Sequence, residues 1–392
     1  PRWVWTTFSE DQIDLNFKNP RVLLKMIEIL LFYVRHGADL MRLDAVTYLW
    51  EEVGTTGAHL AETHEVIKLF RDVLDAVAPH VAVVTETNVP HADNITYFGD
   101  GSDEAQMVYN FALPPLVLHA FQNADARVLT SWAVDLEPPT ATTAFFNFLD
   151  SHDGIGVMGA RGILSEEDID GVCNQVREHG GFVSMKTDSD GAESPYELNI
   201  TWFSALNHKD NGEPKQLQID RFIASRAVAL VLRGVPGIYL PSMIGAPNDV
   251  EAVFREDSRR SINRARIEEH RLLGLLQERG SLPALIARAY VDLLCARVAE
   301  PAFHPNGGQR IIELDSRVFS AIRTAVGADS RVLCLINVSG DEVDISLDAT
   351  EAGLRPGRLT DLAGGDPVDA GGGRIGLRLR PYGVCWLKGV SA

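Results

Sequence analysis

Apolar residues recur along the first two thirds of the chain in two alternating textures. Leu23, Met26, Ile27, Leu30, Leu31 and Val34 return at helical spacing, with Asn19 as N-cap, Pro20 at the first helical position and Gly37 as the stop. The stretch GADLMRLDAV (37–46) then reads as a short buried strand over about 38–46. Strand side chains alternate, so Leu40, Arg42 and Asp44 share one side and Met41, Leu43 and Ala45 the other. Helical spacing resumes over about 62–78, with Val66, Leu69, Phe70, Val73 and Leu74 on one face. VAVVTE (81–86), AQMVYNF (105–111), TAFFNFL (143–149) and PGIYL (236–240) are further apolar strands. Helices are expected at 114–122, 219–233 and 261–276, and a long excursion runs over about 155–218.

Near-continuous apolar strands alternating with helices mark a parallel sheet buried on both faces, hence an α/β fold. Polar residues gather just after the strands and no G-x-G-x-x-G fingerprint is present, which favours a (β/α) barrel over a doubly wound sheet. Five strands are counted where a closed barrel has about eight, and the first helix lacks a preceding strand. The expectation is therefore a partial (β/α)8 TIM barrel, about strands 4 to 8, truncated at the N-terminus and opening at Pro1 inside a loop (Trp3 to Phe8). From about residue 309 the texture changes to short strands at 310–314, 318–322, 332–336 and 343–347, with at least one more over 376–387 and a turn-rich loop at 363–374. This predicts two domains: residues 1–300 as the C-terminal part of the barrel and 301–392 as a small antiparallel β domain.

Charge and composition narrow the chemistry. A net charge of -18 disfavours non-specific binding to nucleic acid or an anionic membrane, so neither partner is expected. No apolar run reaches the about 18 residues of a membrane helix. Cys173, Cys295, Cys334 and Cys385 lack C-x-x-C spacing, which favours free thiols in a reducing cytosol and a cytoplasmic location. No H-E-x-x-H or EF-hand pattern is present, so no metal is expected, and no organic cofactor is implied.

Three carboxylates, Asp44, Glu86 and Asp153, stand at or just after the ends of successive strands. Barrel strands deliver their C-terminal residues to one rim, where two carboxylates flanking a glycosidic bond cleave an acetal: one attacks the anomeric carbon and the other protonates the leaving oxygen. Arg42, on the same face as Asp44, would keep that carboxylate ionised; Glu86 would need a raised pKa to start as the acid. His152, beside Asp153, could donate to a sugar hydroxyl. Taken singly, Arg42-x-Asp44 has a second, blander reading as a structural ion pair, and His152 one as a structural histidine; the ordered set is more specific than any member.

GADLMRLDAV, VVTETNVP and FLDSHDG resemble the second, third and fourth signature regions of the alpha-amylase family of retaining α-glucoside enzymes. The resemblance implies Asp44 as nucleophile, Glu86 as general acid/base, Asp153 as the transition-state-stabilising carboxylate, and Arg42 and His152 as sugar-site residues. TFSEDQIDLNFKNP, ETNVPHADNITYFGDG, YNFALPPLVLHAF, PYELNITWFSALN and RRSINR resemble the sucrose-phosphorylase-like subgroup, closer to its glucosylglycerate-phosphorylase and sucrose-6-phosphate-phosphorylase branch. The implied activity is transfer of glucose between an α-glucoside and inorganic phosphate through a β-glucosyl-enzyme, giving α-glucose 1-phosphate. Tyr196, Glu197 and Asn199 match the loop lining the acceptor and phosphate site; Glu197 replaces a Gln of sucrose phosphorylase, which counts against fructose as acceptor. Arg260 and Tyr48 match glucose-contacting positions, although unaided each reads more simply, as a helix N-terminal surface charge and a core aromatic. The partners implied are a sugar substrate and phosphate, with a homodimer left open. The resemblance places a first signature region and a phosphate-binding arginine before Pro1, so the fragment alone is expected to be inactive. The competing readings are a hydrolase or transglycosidase with the same triad, and an inactive sugar-binding fragment.

Overall fold

The computed structural model describes residues 3–187, 191–327 and 329–389; Pro1 lies outside them. The chain divides into two compact units, residues 1–109 with 138–146, and residues 110–137 with 147–392.

In chain order the elements are α1 (Pro20–Arg35), β1 (Leu40–Leu43), α2 (Ala61–Val77), β2 (Ala82–Thr85), α3 (His91–Asn94), β3 (Met107–Tyr109), α4 (Leu113–Asn123), α5 (Arg127–Val134), β4 (Ala144–Asn147), β5 (Ile155–Gly156), α6 (Glu166–Glu178), β6 (Phe182–Thr187), β7 (Glu193–Asn199), α7 (Trp202–Leu206), α8 (Lys215–Val231) and β8 (Val235–Pro236). They continue with α9 (Val250–Glu256), α10 (Glu269–Gln277), α11 (Leu282–Ala299), β9 (Gly308–Ile311), β10 (Val318–Thr324), β11 (Arg331–Asn337), β12 (Val343–Asp348), β13 (Arg358–Asp361), β14 (Val368–Asp369), β15 (Arg374–Leu379) and β16 (Val384–Gly389).

In the first unit β1 to β4 pair in sequence order and in parallel, with Met41 opposite Val83, Val84 opposite Met107 and Val108 opposite Phe145. Val83, Val84, Val108 and Phe145 are buried, as a sheet covered on both faces requires. The α1 start is as the sequence predicts: Asn19 accepts the Arg21 N–H at 3.0 Å and Pro20 sits at the first position. β1 departs from expectation. It is shorter than 38–46 and is not buried; Leu40 is 45% exposed. Among the described residues β1 has a partner strand, β2, on one side only.

The second unit carries what reads in the sequence as a long excursion over about 155–218. It contains α6, opened by a capping box in which Ser165 and Asp168 each bond the other's backbone, and the antiparallel sheet β5-β7-β6. α8 is buried nearly all round, including Arg221 and Arg226. The helix expected over 261–276 is not continuous: a 3-10 turn covers Arg259–Asn263, and α10 starts only at Glu269. The expected strand at 236–240 shrinks to β8 and gives way to a 3-10 turn from Leu240. Past residue 300, β14-β13-β16-β11-β10-β9 form one antiparallel sheet and β12-β15 a second, enclosing a core that includes Leu333, Leu335, Leu359, Ile375 and Leu387. The 363–374 loop is interrupted by β14, which pairs with β13.

Candidate functional site

In the first unit the chemistry gathers where β1 and β2 end. The Glu86 N–H donates to Leu43 O at 3.0 Å, carrying the ladder one residue past β2. Asp44 follows β1 directly, and Ala45 then takes a left-handed φ of 49° that turns the chain into the 3-10 turn Val46–Tyr48. That turn aims the Ala45 N–H at Glu86, which accepts it at 3.2 Å through Oε2. Arg42 Nη1 lies 2.6 Å from Asp44 Oδ1 and Nη2 3.8 Å from Glu86 Oε2. Its Nε donates to Tyr109 Oη at 3.2 Å, with the guanidinium 5.5 Å from the centre of that ring. Burial works against the Arg42 charge, but Glu86 and Asp44 outweigh it and raise the pKa, so the cation is permanent.

The two carboxylates around this cation differ in exposure. The Asp44 side chain is 70% exposed and the Glu86 side chain 15%, so one is open to an incoming electrophile and the other is shielded. The expected buried Arg42-x-Asp44 pair is therefore corrected: Arg42 is half-buried and Asp44 is not, because the strand stops at Leu43 and Asp44 sits on the turn. Tyr48 belongs to the same cluster. Its phenol pKa is raised by burial and by the Glu86 charge, and its ring meets Phe8 edge-on at 5.5 Å.

In the second unit Asp150, rather than Asp153, is the buried carboxylate following β4. It forms a two-pronged ion pair with Arg226 at 2.7 and 2.9 Å and accepts the Ser242 hydroxyl. Asp153 is carried on the loop that follows. Its backbone O accepts Asn263 Nδ2 at 2.6 Å, and its carboxylate lies 2.6 Å from Arg260 Nη1, 3.3 Å from Arg264 Nη2 and 3.4 Å from His152 Nε2. Arg264 Nε also donates to His152 O at 2.5 Å. Arg260 is thus the centre of an ion-pair chain and no isolated surface charge. It reaches Glu197 by Nε to Oε1 at 3.0 Å and Nη2 to Oε2 at 2.6 Å, and Asn199 Nδ2 donates to the same carboxylate at 2.6 Å. Burial opposes the Arg260 charge, and the bonds to Glu197 and the charge of Asp153 outweigh it, so its pKa is raised. The phenol of Tyr196, on β7, adds to the field at Arg260.

Glu197 is buried, and a Cβ on Gly154 would come within 2.6 Å of its Cγ, so the SHDG loop needs glycine there to lie against β7. The broken helix has its cause here as well. Asn263 and Arg264 send their side chains to the Ser151–Asp153 backbone, and Asn263 O accepts the Tyr239 hydroxyl, so this segment serves the loop instead of continuing a helix.

Each predicted residue thus has a place. Arg42, Asp44, Tyr48 and Glu86 cluster in the first unit. His152, Asp153, Tyr196, Glu197, Asn199 and Arg260 cluster in the second. Sequence reasoning missed Tyr109, Arg264, Asn263 and the Asp150–Arg226 pair. The last two residues of RRSINR were available as a signal for Asn263 and Arg264; nothing local marks Tyr109. Among the described residues no group of three or more His, Cys, Asp or Glu side chains could hold a metal, the four cysteines are free, and no helix is long and apolar enough to cross a membrane.

Comparison with known proteins gives a consistent picture. Residues 2–159 match the family model described as alpha amylase, catalytic domain. The chain is 45% identical over 392 residues to glucosylglycerate phosphorylase of Spirochaeta thermophila, covering 99% of this chain and 66% of that protein. It is 40% identical to glucosylglycerate phosphorylase of Escherichia coli, covering 99% and 67%. The crystal structure of sucrose 6F-phosphate phosphorylase from Thermoanaerobacter thermosaccharolyticum superposes with a TM-score of 0.72 at 22% identity, covering 85% of this chain and 64% of that one. The chain therefore spans about two thirds of the length of these relatives. The fold class is α/β, with the parallel strand–helix architecture of a TIM barrel followed by a C-terminal antiparallel β domain.

Proposed function

Because the chain belongs to the alpha-amylase family, in the group that includes the glucosylglycerate and sucrose phosphorylases, we propose that the protein carrying it is a retaining α-glucoside phosphorylase. The observation that carries this reading is the 45% identity along 99% of the chain to a glucosylglycerate phosphorylase. The residue roles that follow are assigned from that family likeness.

In the first step an Asp44 carboxylate oxygen forms a bond to the anomeric carbon, the bond to the acceptor oxygen breaks, and Glu86 gives that oxygen its proton. Arg42, paired to Asp44 at 2.6 Å, holds the nucleophile in place. In the second step a phosphate oxygen attacks the same carbon from the vacated face, Asp44 leaves as carboxylate, and Glu86 takes the proton from the attacking oxygen. Two inversions give α-glucose 1-phosphate with net retention. Asp153 supplies negative charge toward the oxocarbenium-like transition state. His152, Tyr48, Tyr196, Asn199 and Arg260 are assigned to the sugar and its acceptor, and Glu197 to the acceptor side through its grip on Arg260. The substrate class is a glucosylglycerate-like or sucrose-like α-glucoside. A barrel part over residues 1–300 with a β domain over 301–392, a homodimer and a cytosolic location belong to the same reading.

Incubation of the whole protein that carries this chain with glucosylglycerate, with and without inorganic phosphate, tests it. Glucose 1-phosphate is expected only when phosphate is present. Free glucose released at the same rate without phosphate would establish hydrolysis instead.

A further inference from the structure

Within the second unit a cavity of about 190 Å³ opens between α4, the end of α6, the 207–214 loop, α8 and the turn before β16. It shares no lining residue with the Asp153 cluster. Its charges are balanced internally. Arg221 gives Nη2 to Glu213 Oε1 at 2.6 Å and Nη1 to Oε2 at 2.8 Å, and also reaches Leu206 O and Asn207 Oδ1. Its guanidinium lies 4.8 Å from the centre of the Tyr382 ring. An anion would have to displace Glu213 from this fork, and a cation would meet Arg221, so neither fits.

What remains for a ligand is a set of neutral donors and acceptors. Gln122 lines the cavity, and its Nε2, shielded from solvent and without a hydrogen-bond partner, meets a ligand there once the amide turns about its last side-chain bond. His179 Nδ1 lies 2.8 Å from Ser204 O, so that nitrogen carries the proton and Nε2 is an acceptor. Burial lowers the His179 pKa, which keeps the ring neutral at pH 7. His208 Nδ1 accepts the Asp210 N–H at 3.1 Å, which leaves its Nε2–H as a donor. The two imidazoles meet edge-on at 5.3 Å. Phe121, stacked near-parallel to Tyr382 at 6.1 Å, adds an apolar wall.

A hydroxyl group both donates and accepts, and a polyol carries such groups on a C–H framework that suits an aromatic wall. The volume lies below the about 300–1,000 Å³ of pockets for drug-sized ligands, which limits the occupant to about a hexose or smaller. We propose that this cavity is a binding site for a small neutral polyol, with Gln122 and His208 donating to its hydroxyls and His179 accepting from one. The proposal is independent of the assigned phosphorylase activity, because it is read by binding and at different residues.

The test is an NMR titration of the chain at pH 7.5, following the imidazole signals of His179 and His208 and the side-chain amide of Gln122. Glycerol, glucose and inorganic phosphate serve as separate probes. Saturable movement of all three residues with glycerol or glucose, at millimolar midpoint, is expected, and phosphate should leave them still. Gln122→Leu should weaken the polyol affinity at least about tenfold, and His208→Phe, on the loop, serves if Gln122→Leu does not fold. No saturable movement with either polyol in the unsubstituted chain, or movement driven by phosphate instead, would overturn the proposal.

Discussion

Arg260 illustrates how a residue's role depends on partners that no local pattern reveals. Without the family resemblance it reads in the sequence as a helix N-terminal surface charge; in the fold it links Glu197, 63 positions upstream, to Asp153. Strand-end carboxylates are legible because their position after an apolar run is local, and Asp44 and Glu86 do follow β1 and β2 directly. Tyr109 and Arg226 are not, since each acts through a distant partner. The Asp150–Arg226 pair makes a sharp prediction. The two side chains are 6% and 1% exposed, and Arg226 also lies over the Trp202 and Phe222 rings. Removing one partner of a buried pair leaves the other charge uncompensated, at a cost of about 3–5 kcal/mol. Arg226→Ala should therefore lower the urea unfolding free energy by that amount. A loss under about 1 kcal/mol would mean that Asp150 is adequately held by Ser242 alone.

At the level of elements, periodicity locates α1, α2, α4 and α8 and the strands β1 to β4 within a few residues. Two of its failures have identifiable causes. The segment after Asn263 is helical in pattern, but its side chains are recruited by the Ser151–Asp153 loop, and tertiary hydrogen bonds override propensity. α6 lies in a charged stretch, where Ser165-x-x-Asp168 and the helical spacing of Ile169, Val172, Cys173 and Val176 announce it. That cap is testable. The Ser165 hydroxyl accepts the Asp168 N–H at 3.1 Å, so Ser165→Ala should cost about 1 kcal/mol, read as a drop in thermal midpoint by circular dichroism. An unchanged midpoint would show that α6 is held by its buried face of Ile169, Val172 and Val176 and not by the cap.

For the whole molecule, pH dependence follows from groups that burial perturbs. His59, His91 and His179 all have pKa values lowered from 6.5, with burial the largest cause in each. In the unfolded chain these imidazoles take up protons near about 6.5, and in the folded chain only at lower pH. Their contribution to stability is therefore complete above about 6.5 and is lost as pH falls below it. Glu213 is held below its ordinary 4.5 mainly by its bond to Arg221, so a second loss begins as pH falls below about 4.5. The thermal midpoint should be level between about pH 7 and 8 and should decline from about 6.5 downward; a midpoint that rises on acidification to about pH 5.5 would contradict the burial of these rings. The central claim concerns Asp44. Incubating the whole protein that carries this chain with a fluorinated glucosyl donor that reacts in the first step and stalls before the second, then mapping the labelled peptide by mass spectrometry, tests it most directly. The account predicts one glucosyl unit on the peptide containing Asp44, and none in Asp44→Asn. A label on a peptide containing Glu86 or Asp153 instead, or efficient turnover by Asp44→Asn, would contradict it.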